Sequence, residues 1–279
     1  MRTVVINADD LGYAPGVNQG IFEAHAAGTV TSASMIVTGQ AFADAVERVR
    51  RDAPRLGVGL HLDLVSGAPL SSAPSLVDAT TGKFHHLEVL AARALAGQVE
   101  PTDVRRECEA QLAALTAAGI TPTHLDSHRH AHAMPGILPA VAAAAHEAGI
   151  RVVRRPLDRL SILDPLVSAK MLVMHTAWRT ALIGVAPAHR ATLARAPHFR
   201  GIAMQGMPDM RDRLLATLDQ LQLGVTEIMV HPGYDDDVLA AQDPFRAERE
   251  TELAALRDPA VKARLEKGDV KLVSFREVG

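Results

Sequence analysis

Asp9 and Asp10 stand side by side directly after the apolar run Val4-Val5-Ile6. Two adjacent carboxylates at a strand end are costly to bury unless a cation is shared between them or one carries a proton. Three further apolar segments end in histidine: Gly59-Leu60-His61, the stretch from His124 to His128, and Met229-Val230-His231. Carboxylate and imidazole together are the donor set of a hydrolytic metal site, where an ion activates water and a neighbouring carboxylate takes its proton. The aspartate pair then divides its labour, one toward the metal and one toward the attacking water. Each residue alone also has a plain reading, since aspartates cap turns and a lone histidine is more often a satisfied structural group.

The densest stretch is Thr123-His124-Leu125-Asp126-Ser127-His128-Arg129-His130-Ala131-His132. Its spacing leaves His128, His130 and His132 all available as ligands. Asp126 can orient an imidazole from behind, fixing its tautomer and raising its basicity, while Arg129 fits substrate contact or packing. His231 precedes Pro232-Gly233, which defines a sharp strand-to-loop exit. An imidazole held there suits ligation or proton delivery to a leaving amine.

Positioning these residues requires strand ends gathered on one rim. Short apolar runs predict strands at 3–6, 32–37, 56–62, 123–126, 151–153, 201–204, 227–230 and 271–275. Helical patterns fall at 17–26, 42–50, 103–118, 137–148, 210–221 and 245–266. Continuous apolar strands separated by amphipathic helices argue for a parallel sheet covered by helices. Eight candidate strands fit an α/β, single-domain (β/α) barrel, closed or irregular, with an open doubly wound sheet as runner-up. No repeat or linker divides the chain, so 1–279 is expected to be one domain. Residues 66–83 form a long loop after the His61 strand. The 156–208 stretch, which includes an apolar helical run at 166–185, is expected to shape the acceptor pocket.

The chain has 279 residues, 48% of them hydrophobic and 22% charged, which is a globular composition. A formal charge of -3 gives no general electrostatic reason to bind nucleic acid. Cys108 is the only cysteine, so an intrachain disulfide is excluded; its place in the series Val104, Cys108, Leu112, Leu115 makes it a small core residue. The N-terminus opens on a strand rather than a basic and apolar leader, and no segment offers the ~20 apolar residues of a membrane span, so a cytoplasmic location is expected. No P-loop or dense basic patch accompanies the motifs, which weighs against phosphate chemistry.

Asn7-Ala8-Asp9-Asp10-Leu11-Gly12, Gly59-Leu60-His61-Leu62, the stretch from Thr123 to His132, and His231-Pro232-Gly233 resemble, as an ordered set, the YdjC-like carbohydrate deacetylase family. The resemblance runs from residue 2 to at least 233. It implies a (β/α)-barrel deacetylase related in layout to polysaccharide deacetylases. It further implies one divalent metal ion, zinc or magnesium with manganese or nickel as alternatives, held by Asp10, His61 and His128. Asp9 is then the base and His231 the acid, with Asp126, Arg129, His130 and His132 orienting this shell or meeting substrate. The segments from Thr226 to Gly233 and from Phe199 to Ile202 look more similar to a hopanoid-associated branch. That implies an N-acetylglucosaminyl hopanoid lipid as substrate, contact with a membrane surface and, compatibly, a homodimer. The 166–185 run, with Met171, Met174, Trp178 and Leu182, fits a lipid-linked sugar and equally a core helix or a subunit interface. A chitooligosaccharide is the alternative acceptor. The other classes are a metal-dependent amidohydrolase or phosphoesterase and a non-catalytic metal- or sugar-binding protein.

Overall fold

A computed structural model of the protein describes residues 1–159 and 165–278. Residues 160–164 of the 156–208 stretch therefore lie outside the described residues. The chain divides into two compact units, one from Met1–Met35, Gly39–Val58 and Pro197–Gly279, the other from Ile36–Thr38 and Gly59–Ala196.

The first unit is built on β1 (Arg2–Leu11), whose Val4, Val5 and Ile6 are fully buried. Each such side chain contributes about 1.5–3 kcal/mol of hydrophobic stabilisation. β2 (Ser32–Met35) lies on one edge of β1, and β6 (Gly224–Val230) runs parallel along the other, in register from Arg2 opposite Gly224 to Ala8 opposite Val230. β5 (His198–Arg200) follows β6, and β7 (Val270–Leu272) pairs with the first residues of β1. β3 (Gly57–Leu62) begins in this unit, where Gly57 N–H donates to the Thr31 carbonyl at 3.0 Å. Helices Pro15–Ala26, Phe42–Arg51, Met210–Asp219, Ala247–Leu256 and Pro259–Glu266 belong to the same unit.

In the second unit, β3 continues parallel to β4 (Leu125–Ser127), with His61 opposite Asp126. Helices Pro101–Ala117, Leu138–Glu147, Pro165–Ile183 and Pro187–Ala194 accompany them. Cys108 is fully buried on the first of these, as the apolar series predicts. Among the described residues, no helix is long and apolar enough to cross a membrane.

The strands are parallel and alternate with helices, the α/β class expected of an irregular (β/α) barrel. Seven strands form among the described residues rather than eight. Residues 151–153 supply only an isolated bridge, Val153 to Leu125. The strand expected at 201–204 lies at His198–Arg200 instead, because Gly201 takes φ +141 where an added Cβ would come within 2.7 Å of the Met229 carbonyl oxygen. The helix expected over 245–266 breaks at Pro259, capped by Asp258, whose side chain accepts the Ala260 N–H. Helices Leu87–Leu95 and Pro187–Ala194 were not anticipated.

Candidate active site

Asp9 and Asp10 lie within β1 rather than after it, at a β-bulge. Ala8 pairs with Ala33 and Leu11 with Met35, so β1 carries one more residue than β2 between these partners. A bulge of this kind bends the strand and re-aims its side chains, a device common beside active sites. Asp10 absorbs the irregularity at φ 72, a left-handed conformation uncommon for a residue with a side chain. Its carbonyl accepts the Tyr13 N–H at 3.0 Å, and Asn18 Oδ1 accepts the Gly12 N–H at 2.7 Å, which closes the turn after the bulge.

Both carboxylates are buried, each 2% exposed. Asn7 Nδ2 donates to Asp9 Oδ1 at 2.9 Å and to Ser34 Oγ at 2.8 Å. Asp10 Oδ2 accepts from Arg249 Nη2 at 2.7 Å; Arg249 also donates to Asp243 at 3.2 Å and, through Nε, to the Phe245 carbonyl at 2.9 Å. A cation therefore does accompany Asp10, and it is a buried arginine that the sequence leaves unmarked.

His231 follows β6 directly, with Nε2 at 4.0 Å from Asp9 Oδ2. Its backbone N–H donates to Glu252 Oε2 at 2.6 Å, and its Nδ1 lies 3.8 Å from the same oxygen, an ion-pair separation beyond hydrogen-bond range. Burial alone would push this imidazole down, but Glu252, with Asp9 and Asp10, holds it above the ordinary histidine value. The sequence leaves Glu252 unmarked as well. Arg249 and Glu252 sit on the buried face of helix Ala247–Leu256 beside Leu253 and Leu256, and nothing in its charged sequence separates them from solvent-facing neighbours.

The turn after His231 is set by glycine. A Cβ on Gly20 would stand 2.5 Å from Gly233 Cα, and one on Gly16 would stand 2.4 Å from the Tyr234 carbonyl oxygen. Helix Pro15–Ala26 thus meets the Pro232-Gly233-Tyr234 segment backbone to backbone, and Tyr234 N–H donates to the Gly16 carbonyl at 3.0 Å.

The second unit holds the other expected residues. His61 Nδ1 lies 2.7 Å from Asp126 Oδ1, and Asp126 Oδ2 lies 2.7 Å from Arg154 Nη2, all three side chains being buried. Burial opposes the Asp126 charge, yet Arg154 and His61 keep its carboxyl well below the usual carboxylate range. With Nδ1 committed to Asp126, metal ligation by His61 would fall to Nε2, the carboxylate–histidine arrangement seen behind metal ligands. The His128 ring packs edge-on to His61 at 5.7 Å between centroids. On the same strand, Gly59 admits His124 against its backbone, where a Cβ would stand 2.5 Å from that ring.

The remaining histidines separate by role. His132 Nε2 lies 2.9 Å from the Arg154 carbonyl and must donate to it, so Nδ1 accepts from Ser127 Oγ at 2.6 Å. With both ring nitrogens engaged, His132 braces the turn, and burial holds its pKa at about 4. Arg129 and His130 adopt φ 52 and 57, two successive left-handed residues that turn the chain between His128 and His132. Arg129 is exposed and His130 is half-buried, its pKa pushed well down by burial and by Arg154.

The chain is 35% identical to the carbohydrate deacetylase of Geobacillus stearothermophilus over 99% of this chain and 98% of that one. It is 32% identical to the chitooligosaccharide deacetylase of Yersinia enterocolitica, over 99% of each. In fold it resembles the crystal structure of a putative cellobiose-phosphate cleavage protein from Enterococcus faecalis, with a TM-score of 0.77, 28% identity and coverage of 100% of this chain and 99% of that one. The model of the YdjC-like protein family matches residues 3–267, and the chain belongs to that family.

Proposed function

We propose that the protein is a metal-dependent carbohydrate deacetylase that hydrolyses the N-acetyl group of an amino sugar, giving the free amine and acetate. The observation that carries this reading is the buried pairing of Asp9 with a His231 kept basic by Glu252, a carboxylate acceptor and an imidazole donor 4.0 Å apart. The names of the relatives support the reaction class. The family match spans sequence from both units, which supports treating 1–279 as one working domain.

Asp10, His61 and His128 are the residues we assign to a divalent ion. They are buried, have the right donor chemistry and stand at or just beyond the C-terminal ends of parallel strands. Asp126 behind His61 is the partner such a ligand needs. One carboxylate with two imidazoles suits zinc, manganese or nickel, and magnesium less well. When bound, the ion would polarise the acetamide carbonyl and acidify water.

Asp9 accepts the proton of the attacking water as the C–O bond forms. Asn7 fixes one Asp9 oxygen and so presents the carboxylate in a single orientation. His231 delivers a proton to the nitrogen as the C–N bond breaks, so the sugar leaves as a neutral amine. Arg249 holds one Asp10 oxygen in place, and Asp126 keeps His61 in one tautomer. Arg129, exposed at the left-handed turn, is assigned to the acceptor, with His130 and His132 holding that turn.

For the acceptor we propose an N-acetylglucosaminyl hopanoid lipid, with a chitooligosaccharide as the second reading. The apolar helix Pro165–Ile183 supports the lipid, and the name of the Yersinia relative supports the oligosaccharide. We place the reaction in the cytoplasm, consistent with a lone buried cysteine, and admit a homodimer. Acetate release by metal-reconstituted protein tests the proposal on both acceptors. Asp9→Asn is expected to reduce release about 10²–10⁴-fold. Release from neither, with metal bound, would overturn deacetylation.

A further inference from the structure

We propose that the outward face of helix Pro165–Ile183, together with the basic residues that follow it, docks on an anionic lipid surface. Residues 165–196 contain Lys170, Arg179, Arg190 and Arg195 and no aspartate or glutamate, in a chain whose formal charge is -3. The segment thus carries basic side chains uncompensated by acids, and Arg179, Arg190 and Arg195 are exposed.

The same helix exposes its large apolar residues. Leu172, Val173 and Ile183 are 63%, 69% and 80% exposed. Leu172, Thr176, Arg179 and Ile183 follow one another at spacings of four, three and four, so they line one outward face, with Val173 at its edge. The opposite face is occupied: Met171, Trp178 and Ala181 are buried, and the Trp178 ring packs edge-on to His132 at 6.5 Å. Met171 and Trp178 are therefore core contacts, whereas the outward aliphatics serve no packing within their unit.

Exposed aliphatics among lysine and arginine, without acids, make the profile of a helix that lies in a membrane interface. The stem of Arg179 can follow the apolar surface while its charge reaches lipid phosphates. The helix is too polar to cross the bilayer. A second copy of the chain fits less well, because a two-fold contact through this face would set Arg179 near its own equivalent. Through Trp178, docking here would bring the His132 cluster to about one helix diameter, ~10 Å, from the lipid. The inference gives a face to the membrane contact that a glycolipid acceptor requires, but it rests on charge and exposure, so it can fail or hold independently of deacetylation.

Sedimentation of the full chain with phosphatidylcholine–phosphatidylglycerol vesicles, against phosphatidylcholine alone, tests it. Binding is expected only to the anionic vesicles and is expected to weaken as salt rises. The Arg179→Ala/Arg195→Ala variant should partition about 25-fold less, at about five-fold per charge. Leu172→Ser/Val173→Ser/Ile183→Ser should also weaken binding, while both variants keep wild-type Tm and acetate release from a soluble N-acetylated sugar. Absence of vesicle binding at low ionic strength, or binding that both variants leave intact, overturns the proposal. So does a dimer that these substitutions convert to monomer without any vesicle binding, which would assign the face to a second copy.

Discussion

Arg249 Nη2 lies 2.7 Å from Asp10 Oδ2 with both side chains buried, and Glu252, one turn along the same helix, accepts the His231 backbone N–H. One helix therefore secures both strand ends of the β1–β6 pair. Ala8 stands opposite Val230 in that pair, so Asp9 and His231 follow at the same level on neighbouring strands. The ion pair and the register together account for a proton acceptor and a proton donor placed side by side.

Replacing Arg249 by methionine should leave Asp10 and Asp243 as buried carboxylates without their cation. Loss of one partner of a buried pair costs about 3–5 kcal/mol, and urea unfolding should register a loss of that order. Arg249→Lys keeps the charge but cannot reproduce the guanidinium fork to Asp10, Asp243 and the Phe245 carbonyl, so an intermediate loss is expected. Equal stability of wild type and R249M would mean that the ion pair does not support the fold.

Glu252→Gln separates charge from geometry, since the amide oxygen can still accept the His231 N–H. The folded His231 pKa is raised, chiefly by Glu252 against the opposing effect of burial. Its contribution to stability is therefore complete below the unfolded value of about 6.5 and fades as pH rises through the folded value. The variant should be destabilised more at about pH 5 than at about pH 9. In kcat/KM the alkaline limb, where the acid loses its proton, should move to lower pH. A limb that stays in place would show that His231 is not the titrating acid.

The sequence disclosed the chemistry better than it disclosed what holds the chemistry in place. Asp9, Asp10, His61 and the 124–132 cluster were visible because polar residues interrupt apolar strand ends. Arg249, Glu252 and Arg154 were not, because a buried charge on a helix or loop looks like a solvated one until its partner, hundreds of positions away or on another element, is known. The same limit applies to the fold. Strands with apolar interiors were placed closely, while His198–Arg200, with both ends half-exposed, carried no strand signal. The bulge at Asp9-Asp10 left no trace, since it depends on the register against β2. Pro259 marks the break in the C-terminal helix, although the apolar periodicity runs on across it.

Asp126→Asn should weaken metal binding about 10–100-fold, the usual cost of removing the partner behind a ligating histidine. Asparagine can still accept the His61 Nδ1–H, so the ring keeps its tautomer, but the charge that raises its basicity is gone. Competition with a chromophoric chelator measures the change. The metal-free protein should also lose stability, because Arg154 would remain buried without its carboxylate. An unaltered metal affinity would remove His61 from the ligand set.

Gly20→Ala sets two effects against each other. In an exposed helix interior the change would stabilise by about 1 kcal/mol. At position 20 the new methyl would sit 2.5 Å from Gly233 Cα and 2.6 Å from Gly233 N, both backbone atoms that cannot rotate away. The helix must retreat or the Pro232-Gly233 turn must shift, and overpacking of this kind costs about 1–3 kcal/mol. Retreat of the helix would lower Tm with little change in chemistry. Movement of the turn would carry His231 away from Asp9, which are 4.0 Å apart, and reduce kcat more than KM. Because Tyr234 N–H is bonded to the Gly16 carbonyl on the same helix, helix and turn are tied and should move together, so we expect both effects. Measuring Tm and kcat on one G20A preparation tests this, and a gain in Tm would show that the close approach is not a constraint.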